Sequence, residues 1–308
     1  MTPVLILRAL GLGDGLTGVP ALRGLRRLFA DRPLLLAGPE PVSSWFAGLG
    51  LVDGVVSTTS LSGRPPGLGL GPHLAVNLHG CGPQSHRLLQ AAAPRELIAF
   101  DCPAVGHYAG CRWSDDEHEV DRWCQLVCTA GGSCDVSDLR LAIQAACDGA
   151  IVVHPGAASG ARRWPVKRWT EVIAELRAER HRVVLTGTET ELCHALSVAS
   201  GAEDLSGRLS IPELAERVAS AALVVCGDTG IAHLAAALGV RSVTLFGPVP
   251  PARWGPRVDL DRHTVLYHGS RLGDPHADRP DPALLRIGVT EVLTAARAQL
   301  HGTRQPST

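Results

Sequence analysis

The sequence predicts an α/β fold with two domains, each built on a parallel sheet of the Rossmann-like kind. Short runs rich in Val, Ile and Leu, such as 4–7 and 151–153, are typical of strands buried on both faces of a parallel sheet. Each run is followed by a small-residue turn and then by apolar residues at helical spacing, which is the order of a βαβ unit. A chain of 308 residues is long enough for two such cores. We expect 1–147 to form the first domain and 148–308 the second.

The composition favours a globular protein that binds its ligands in local pockets. The formal net charge is -1, so the chain has no overall field that would attract nucleic acid or an anionic membrane. The nine cysteines include no Cys-x-x-Cys pair, which favours free thiols over metal ligands and indicates a reducing compartment. The apolar run at the N-terminus is too short for a signal or membrane segment, so we expect a cytoplasmic protein. Amphipathic surface helices leave peripheral membrane contact open.

The first predicted strand ends at Arg8 and is followed by a glycine-rich loop over 9–15 and by a helix that starts near Pro20. The loop partly matches the Gly-x-Gly-x-x-Gly pattern of dinucleotide-binding proteins. Leu16 stands where the third glycine belongs, and Asp14 would place a carboxylate where a pyrophosphate requires unpaired N–H groups. We therefore reject a dinucleotide site at this loop.

The remainder of the first domain supplies further strands and one candidate ligand contact. The predicted strands lie at 34–37, 55–56, 74–78 and 97–100. His79 follows the third of these at the carboxyl edge of the sheet, where open α/β sheets bind ligands. It is either an acceptor-side contact or hydrogen-bonded scaffolding, which is the commoner use of a lone histidine. The run 114–127 predicts an amphipathic helix, and we interpret its acids over 115–119, with His118, as a solvated face.

The second domain opens with a strand at 151–153 that leads into the best phosphate-binding candidate of the chain. The loop over 154–165 contains mostly small residues, which let backbone N–H groups approach an anion. Arg162 or Arg163 can neutralise that anion with paired hydrogen bonds. The alternative is that these arginines, with Lys167 and Arg168, only solvate the start of the next helix. Cations at a helix start oppose its dipole, and a bound anion removes that objection.

Two further turns of the second domain place polar side chains at the same edge of the predicted sheet. A glutamate in the loop 187–191 either accepts from a ribose or base, or is a first-turn acid of the next helix; the two interpretations are equally favoured. The stretch 221–247 has the order strand, turn, helix and strand, and its turn carries a polar group: Asp228, Thr229, Gly230 and His233. This group either binds a hydroxylated or phosphorylated ligand, or Asp228 only caps its own helix, which the spacing slightly favours.

The end of the chain carries one clear helix start and one last helix. Ser210 and Glu213 form a capping box with proline just inside the helix. Residues 263–286 are predicted to be mostly irregular. A last amphipathic helix at 289–300 is expected to pack back on the first domain, and 302–308 is predicted to be a tail.

Three motifs, in this order, resemble glycosyltransferase family 9, the heptosyltransferase-like enzymes. They are LGLGDGLTGVPALRGLRR, HPGAASGARRWPVKRW and GDTGIAHLAAALGVRSVTLFGPVPPARWGP, of which the last is the most specific. The resemblance extends over nearly the whole chain and implies a GT-B fold, in which two Rossmann-like domains face each other across a cleft. The family commonly has lysine at the position of Arg162 and hydroxyl residues at Ala157 and Ala158. Arginine keeps the charge, whereas the lost hydroxyls bear on donor affinity or nucleotide identity.

The resemblance also implies roles for individual residues. Asp14 would be the catalytic base, with Ser159 and Arg162 on the donor diphosphate and Glu191 facing the nucleoside. The full donor-binding set would be Ser159, Arg162, Arg163, Glu191, Asp228, Thr229, Gly230 and His233. The acceptor side would comprise Arg8, Gly13 and His79.

We therefore expect an inverting glycosyltransferase that moves a sugar, with heptose as one option, from a nucleotide diphosphate sugar to an acceptor hydroxyl. The co-substrate would be a nucleotide sugar such as ADP-heptose, and the acceptor a glycan, a lipid-linked molecule or a small molecule. No Asp-x-Asp pair flanks a predicted strand, so we expect no metal or other cofactor. Two alternatives are kept: a nucleotide-sugar epimerase or hydrolase of the same fold, and a non-catalytic nucleotide-sugar-binding protein.

Overall fold

The computed structural model describes residues 2–302, and the chain divides into two compact units after Leu139. Each unit contains one parallel sheet covered by helices, which confirms the predicted fold class of two Rossmann-like parallel-sheet domains. The predicted boundary, at 147/148, lies a few residues further along the chain. The segment that begins at Arg140 already belongs to the second unit, because the Leu141 N–H donates to the Ala237 carbonyl at 2.7 Å.

In the described part of the first unit, five strands pair in the order β3-β2-β1-β4-β5. The strands and helices are β1 (Val4–Leu7), α1 (Leu12–Thr17), α2 (Val19–Leu28), β2 (Leu34–Gly38), α3 (Glu40–Gly48), β3 (Gly54–Ser57), β4 (Leu74–Asn77), α4 (Gln84–Gln90), β5 (Glu96–Ile98) and α5 (Glu119–Thr129). All four residues of β1 are fully buried at the centre of the sheet. This central strand therefore ends at an edge that its neighbours on both sides share.

The predicted loop over 9–15 is partly wrong, because α1 begins inside it at Leu12. Gly11 is the extended N-cap of this short helix, and the Gly15 N–H donates to its carbonyl at 2.9 Å. A Cβ on Gly15 would lie 3.0 Å from a methyl group of Val42, so only the bare glycine lets the helix pack so closely. The helix places Asp14 in its first turn, where the dipole favours a carboxylate.

In the second unit, six strands of the described chain pair in the order β11-β10-β9-β6-β7-β8. The elements are β6 (Ile151–His154), α6 (Val166–Ala178), β7 (Val183–Leu185), α7 (Thr190–Ser200), β8 (Glu203–Asp204), α8 (Ile211–Ala219), β9 (Leu223–Gly227), α9 (Gly230–Ala237), β10 (Ser242–Leu245), α10 (Pro251–Trp254), β11 (His263–Leu266), α11 (Pro282–Leu285) and α12 (Val289–His301). The predicted capping box at Ser210 and Glu213 is confirmed at the start of α8.

The end of the chain follows two of its predictions in part. The region 263–286 is mostly irregular, as predicted, but β11 at its start pairs with β10 as the edge strand of the sheet, and α11 lies near its end. The helix α12 packs on α6 and on β9, β10 and β11 within its own unit, and its packing on the first unit stays a prediction. Apart from Gly302, the predicted tail lies outside the described residues. Within residues 2–302, every helix is too short or too polar to cross a lipid bilayer.

Candidate active site

The first unit gathers Arg8, Asp14 and His79 at the carboxyl ends of β1 and β4. The Arg8 guanidinium donates through Nε to the Asp14 carbonyl at 2.6 Å and through Nη2 to Thr17 Oγ1 at 2.9 Å. It also donates to the Leu78 carbonyl, immediately before His79. The structure thus brings together the three side chains predicted for this edge, with Gly13 beside Asp14 in α1.

Arg8 is unusual because its guanidinium is buried, with only 1% of the side chain exposed. Burial lowers the pKa of Arg8, while the carboxylates of Glu119 and Asp14 act in the opposite direction. Partial burial of the His79 ring lowers the pKa of His79, and the charge of Arg8 lowers it further. His79 is therefore neutral near pH 7, and its Nδ1 accepts a hydrogen bond from the Ala9 N–H at 3.2 Å.

The predicted solvated face over 115–119 is wrong at its last two residues. His118 and Glu119 are buried, and α5 begins at Glu119 rather than at the start of the predicted helix. Glu119 accepts from Trp123 Nε1 at 2.8 Å and pairs with Arg122, and its Oε1 lies 3.6 Å from Arg8 Nη2. The only hint in the sequence is the spacing of Arg122 and Trp123, three and four residues after the acid, on one face of a helix.

In the second unit, Arg162 links the phosphate-loop candidate to the start of α9. Its Nε donates to Ser159 Oγ at 3.4 Å, and its Nη1 donates to the Asp228 carbonyl at 3.4 Å. Among the described residues, the backbone N–H groups over 157–160 donate to no protein acceptor. These N–H groups, the guanidinium and the helix N-terminus together provide the donors that an anionic oxygen requires.

A segment later in the chain, which we call the strap and define as 273–281, packs on the same loop. Ser159 Oγ donates to the Pro275 carbonyl at 2.6 Å, and the Ala161 N–H donates to the Ala277 carbonyl at 2.7 Å. In return, the Asp281 N–H donates to the Ala161 carbonyl at 3.0 Å. The strap therefore already uses the Ser159 hydroxyl proton and the Ala161 N–H, which the sequence left available for an anion.

Thr229 occupies the N-cap position of α9, one residue after Asp228, which the spacing slightly favoured as the cap. Thr229 has the extended backbone of an N-cap, but its side chain makes no capping hydrogen bond. Its Oγ1 is buried and has no hydrogen-bond partner in the described part of the chain. Asp228 instead extends the sheet, since its N–H donates to the Leu245 carbonyl at 3.1 Å. A buried hydroxyl without a partner is costly, and a bound ligand oxygen would satisfy it.

His233 lies one turn further along α9 and contacts an aromatic ring. Its ring packs against the edge of Trp254, with the centroids 5.8 Å apart. The placement of His233 beside the donor, with the N-terminus of α9, stays a prediction.

The loop after β7 places Glu189, and not the predicted Glu191, against the candidate phosphate-binding loop over 154–165, which we call the phosphate loop. Glu189 lies 3.7 Å from Arg163 Nη2, and a Cβ on Gly156 would come within 2.0 Å of its Oε2. Glu191 is exposed in the first turn of α7. The contact of Glu191 with a nucleoside stays a prediction. The sequence offered no signal to choose between the two acids, because they stand two residues apart in the same loop.

The half-buried His154, at the end of β6, lies at the same part of the edge. Burial lowers its pKa to about 4, although Glu189 opposes the shift. The neutral ring lies 3.1 Å from Thr186 Oγ1 through its Nδ1. In the part of the chain that the structure describes, no group of three or more His, Cys, Asp or Glu side chains is arranged to hold a metal ion.

The chain matches a model of a known protein family. A family model described as glycosyltransferase family 9 (heptosyltransferase) matches residues 114–275, more than half of the chain. The chain belongs to glycosyltransferase family 9. The resemblance inferred from the three motifs is thereby confirmed. The match includes the phosphate loop, α9 and Glu119, whereas Arg8, Asp14 and His79 lie before it.

Known relatives of this family 9 member include lipopolysaccharide heptosyltransferase 2 of Escherichia coli K12. The two are 31% identical over 158 residues, which is 47% of this chain and 45% of the relative. Lipopolysaccharide heptosyltransferase 1 of Salmonella typhimurium is 36% identical over 97 residues, or 30% of this chain and 31% of the relative. This chain therefore aligns with less than half the length of these curated relatives.

The fold is shared over the whole length. The solved structure of E. coli ADP-heptose lipopolysaccharide heptosyltransferase II superposes with a TM-score of 0.79 at 17% identity, covering 99% of this chain and 100% of that one. E. coli heptosyltransferase WaaC with ADP-2-deoxy-2-fluoro heptose has a TM-score of 0.73 at 19% identity, covering 96% and 99%. At these identities the structural similarity establishes the fold only. The chemistry has to be argued from the residues of the site.

Proposed function

We propose that this family 9 protein is an inverting glycosyltransferase that moves a heptose from ADP-heptose to an acceptor hydroxyl without a metal ion. The observation that carries the proposal is the position of Arg162 between Ser159 and the start of α9, beside the buried and unpartnered Thr229 hydroxyl. This arrangement offers one full positive charge, one hydroxyl and several N–H groups to an anion. A departing nucleoside diphosphate requires such a set of donors.

The second unit would stabilise the leaving group. As the bond between the anomeric carbon and the diphosphate oxygen breaks, negative charge develops on that oxygen. Arg162 and the N-terminus of α9 supply charge and N–H dipoles for it, a task that a divalent cation performs in other enzymes. The family resemblance assigns Asp228, Gly230 and His233 to the donor sugar and phosphate, and we keep that assignment as part of the proposal.

The first unit would supply the base. The acceptor oxygen attacks the anomeric carbon on the face opposite the diphosphate, so one C–O bond forms while another breaks and the configuration inverts. The hydroxyl proton passes to the Asp14 carboxylate, and ADP departs with the electron pair. The buried Arg8 holds the Asp14 backbone carbonyl by a 2.6 Å hydrogen bond, which fixes the backbone from which the Asp14 side chain extends. Arg8, Gly13 and His79 are proposed to line the acceptor side.

The choice of ADP-heptose rests on what the relatives are named for. The structural neighbours include an ADP-heptose lipopolysaccharide heptosyltransferase and a heptosyltransferase solved with ADP-2-deoxy-2-fluoro heptose, and the relatives named above are lipopolysaccharide heptosyltransferases. The residues of this chain favour a nucleotide diphosphate sugar in general. Heptose is therefore the most specific part of the proposal and the part that a donor screen tests first.

The experiment is a product analysis with purified protein, ADP-heptose and heptose-free lipopolysaccharide as the first acceptor. We expect ADP release that depends on the acceptor, a heptosylated product by mass spectrometry, and inverted anomeric configuration by NMR. Addition of EDTA should leave the rate unchanged. ADP release without acceptor would indicate a hydrolase, and donor isomerisation without ADP release would indicate an epimerase. Nucleotide binding without turnover of any nucleotide sugar would indicate a binding protein.

A further inference from the structure

The first unit contains a buried group of charges that the proposed chemistry does not yet use. Three of its members are buried, namely Arg8, just after β1, and Glu119 and Arg122 of α5, and the charge of the half-buried Asp14 of α1 acts on Arg8. The side chains of Glu119 and Arg122 are 6% and 7% exposed, so neither is a surface ion pair. Buried charges persist only where each is paired and hydrogen-bonded.

Glu119 is held in place by donors on two sides. Trp123 Nε1 donates to its Oε1 at 2.8 Å, and Arg122 Nη1 donates to its Oε2. Arg122 is itself fixed by bonds to the carbonyls of Ser114, at 2.8 Å, and Glu117, at 3.0 Å. The carboxylate therefore has a single orientation, with Oε1 turned toward Arg8 at 3.6 Å.

Arg8 is the link between this acid and the proposed base. One side of its guanidinium faces Glu119 and stacks over the ring of Trp123, 4.7 Å from the centroid. Its Nε donates to the Asp14 carbonyl, and its charge attracts the Asp14 carboxylate. The charges of Glu119 and Asp14 both oppose the effect of burial on the pKa of Arg8, and that of Glu119 is the larger of the two.

We propose that Glu119 is a positioning residue for Asp14: it fixes Arg8 behind the Asp14 backbone and balances the charge that Arg8 places beside the Asp14 carboxylate. The inference rests on the proposed role of Asp14 as the base. Two cations, Arg8 and Arg122, and two carboxylates, Glu119 and Asp14, balance one another in this group, with neutral His79 beside Arg8. Glu117 lies near the group as well: burial raises its pKa, the charge of Arg122 opposes that shift, and the carboxylates of Asp121 and Glu119 add to it.

The test is the variant Glu119→Gln, which removes the negative charge of the side chain but keeps its size and shape. Removal of the carboxylate leaves Arg8 uncompensated, so protonation of Asp14 becomes less favourable and the base becomes weaker. We expect the acid limb of the kcat/KM profile to move down by about half a pH unit or more, and kcat to fall about tenfold. The affinity for ADP, measured by calorimetry, should not change, because the proposed nucleotide contacts lie in the second unit.

Two control variants separate charge from structure. Asp53→Asn removes an equally charged partner of an ion pair in the same unit, that of Asp53 with Arg26 at 2.6 Å, and should leave the pH profile in place. Trp123→Phe removes a hydrogen bond that orients Glu119 but keeps the charge of Glu119, so stability should fall and the acid limb should move less than in Glu119→Gln. If Glu119→Gln does not fold, Glu119→Asp keeps the charge but cannot reach as far; it should lower kcat severalfold with an unchanged KM for the donor.

A second readout needs no turnover. The ring of His79 titrates beside Arg8, and its pKa can be followed by NMR with a His79→Gln variant for assignment. In Glu119→Gln we expect this pKa to fall, because the charge of Arg8 is no longer balanced. An unmoved His79 together with an unmoved acid limb overturns the inference. If the pKa of His79 shifts but the acid limb of the kcat/KM profile does not, Asp14 is not the titrating base. In that case the proposed mechanism fails, and the inference about Glu119 fails with it.

Discussion

Among the single side chains, Asp14 has the most demanding proposed role. Asp14→Asn keeps the size of the side chain but removes the proton acceptor, so kcat should fall by about 10²–10⁴-fold. Calorimetry should show unchanged ADP affinity. The matched control is Asp31→Asn, which changes an exposed aspartate of the same unit and should leave kcat as it is. Turnover that persists in Asp14→Asn would show that Asp14 has only a structural role.

A substitution of Arg162 tests the proposed stabilisation of the leaving nucleoside diphosphate. Arg162→Gln removes the charge that lies between Ser159 and the Asp228 carbonyl. A hydrogen bond to a charged group contributes about 1.5–3 kcal/mol, so the Kd for ADP should rise about tenfold to a hundredfold. Lys167→Gln is the control, because Lys167 is exposed near the start of α6. An equal loss of affinity in both variants would mean that the phosphate loop binds only through general charge.

The site residues that sequence patterns could identify were those at the ends of strands. Arg8, Asp14 and His79 do meet at one edge, and Arg162 does reach the start of α9, because parallel strands end together. Glu119 could not be found in this way. Its partner Arg8 is more than a hundred positions away in the chain, and an isolated run of acids and a histidine is usually solvated.

At the level of helices and strands, Asp148 ties three elements of the second unit together. It accepts from Arg217 of α8 at 2.6 Å, from Arg182 before β7 at 3.0 Å, and from the Ala150 N–H before β6 at 3.0 Å. The hydrogen bonds from Arg217 contribute most to lowering its pKa from 3.8 to about 2. A depressed pKa of this kind stabilises the fold above the ordinary pKa and ceases to do so as the pH falls through the folded value.

We therefore expect Asp148→Asn to destabilise the protein by about 1 kcal/mol at pH 7, a modest figure because the pair is partly exposed. The difference from the unchanged protein should shrink as the pH falls from about 4 toward 2, measured by urea unfolding. Glu216→Gln, on the exposed face of α8, should change stability by less than about 0.5 kcal/mol. A difference that stays constant with pH would exclude the ion pairs as its cause.

Most helices and strands can be predicted from local sequence patterns. The others form because of contacts with residues far away in the chain. The buried strands β1 and β9 and the stripe of α6, for example, have the periodicity that their environments require. The short helix α1 contains two glycines, which disfavour a helix, and it forms because Gly15 packs against Val42 and Phe46. The edge strand β11 begins with polar residues and depends on pairing with β10.

For the molecule as a whole, the proposal assigns nucleotide binding to the second unit alone. ADP at 100 times its Kd should therefore stabilise that unit by about 2.7 kcal/mol. Hydrogen exchange should show protection of 155–162 and of the start of α9, with little change in β1 or β4. The product heptosyl acceptor without ADP should give the converse pattern. Equal protection of both units by ADP alone would contradict the division of roles.

The division into two units was predictable because each half repeats the order of strand, turn and helix around its own buried sheet. The boundary was placed too late because 140–147 has neither strand nor helix to mark it. This segment belongs to the second unit because the Leu141 N–H donates to the Ala237 carbonyl and Arg140 pairs with Asp259. Irregular segments of this kind carry no periodicity, so only their tertiary contacts assign them to a unit.

The strap has a consequence for how tightly a nucleotide can be held. Because the carbonyls of Pro275 and Ala277 already restrain Ser159 and Ala161, this stretch of backbone loses its conformational freedom when the chain folds. On the proposed function, an incoming diphosphate would meet a rigid partner, and little of its interaction energy would be consumed in ordering the protein. Affinity at this edge would then depend on the fit of the diphosphate to Arg162 and Thr229.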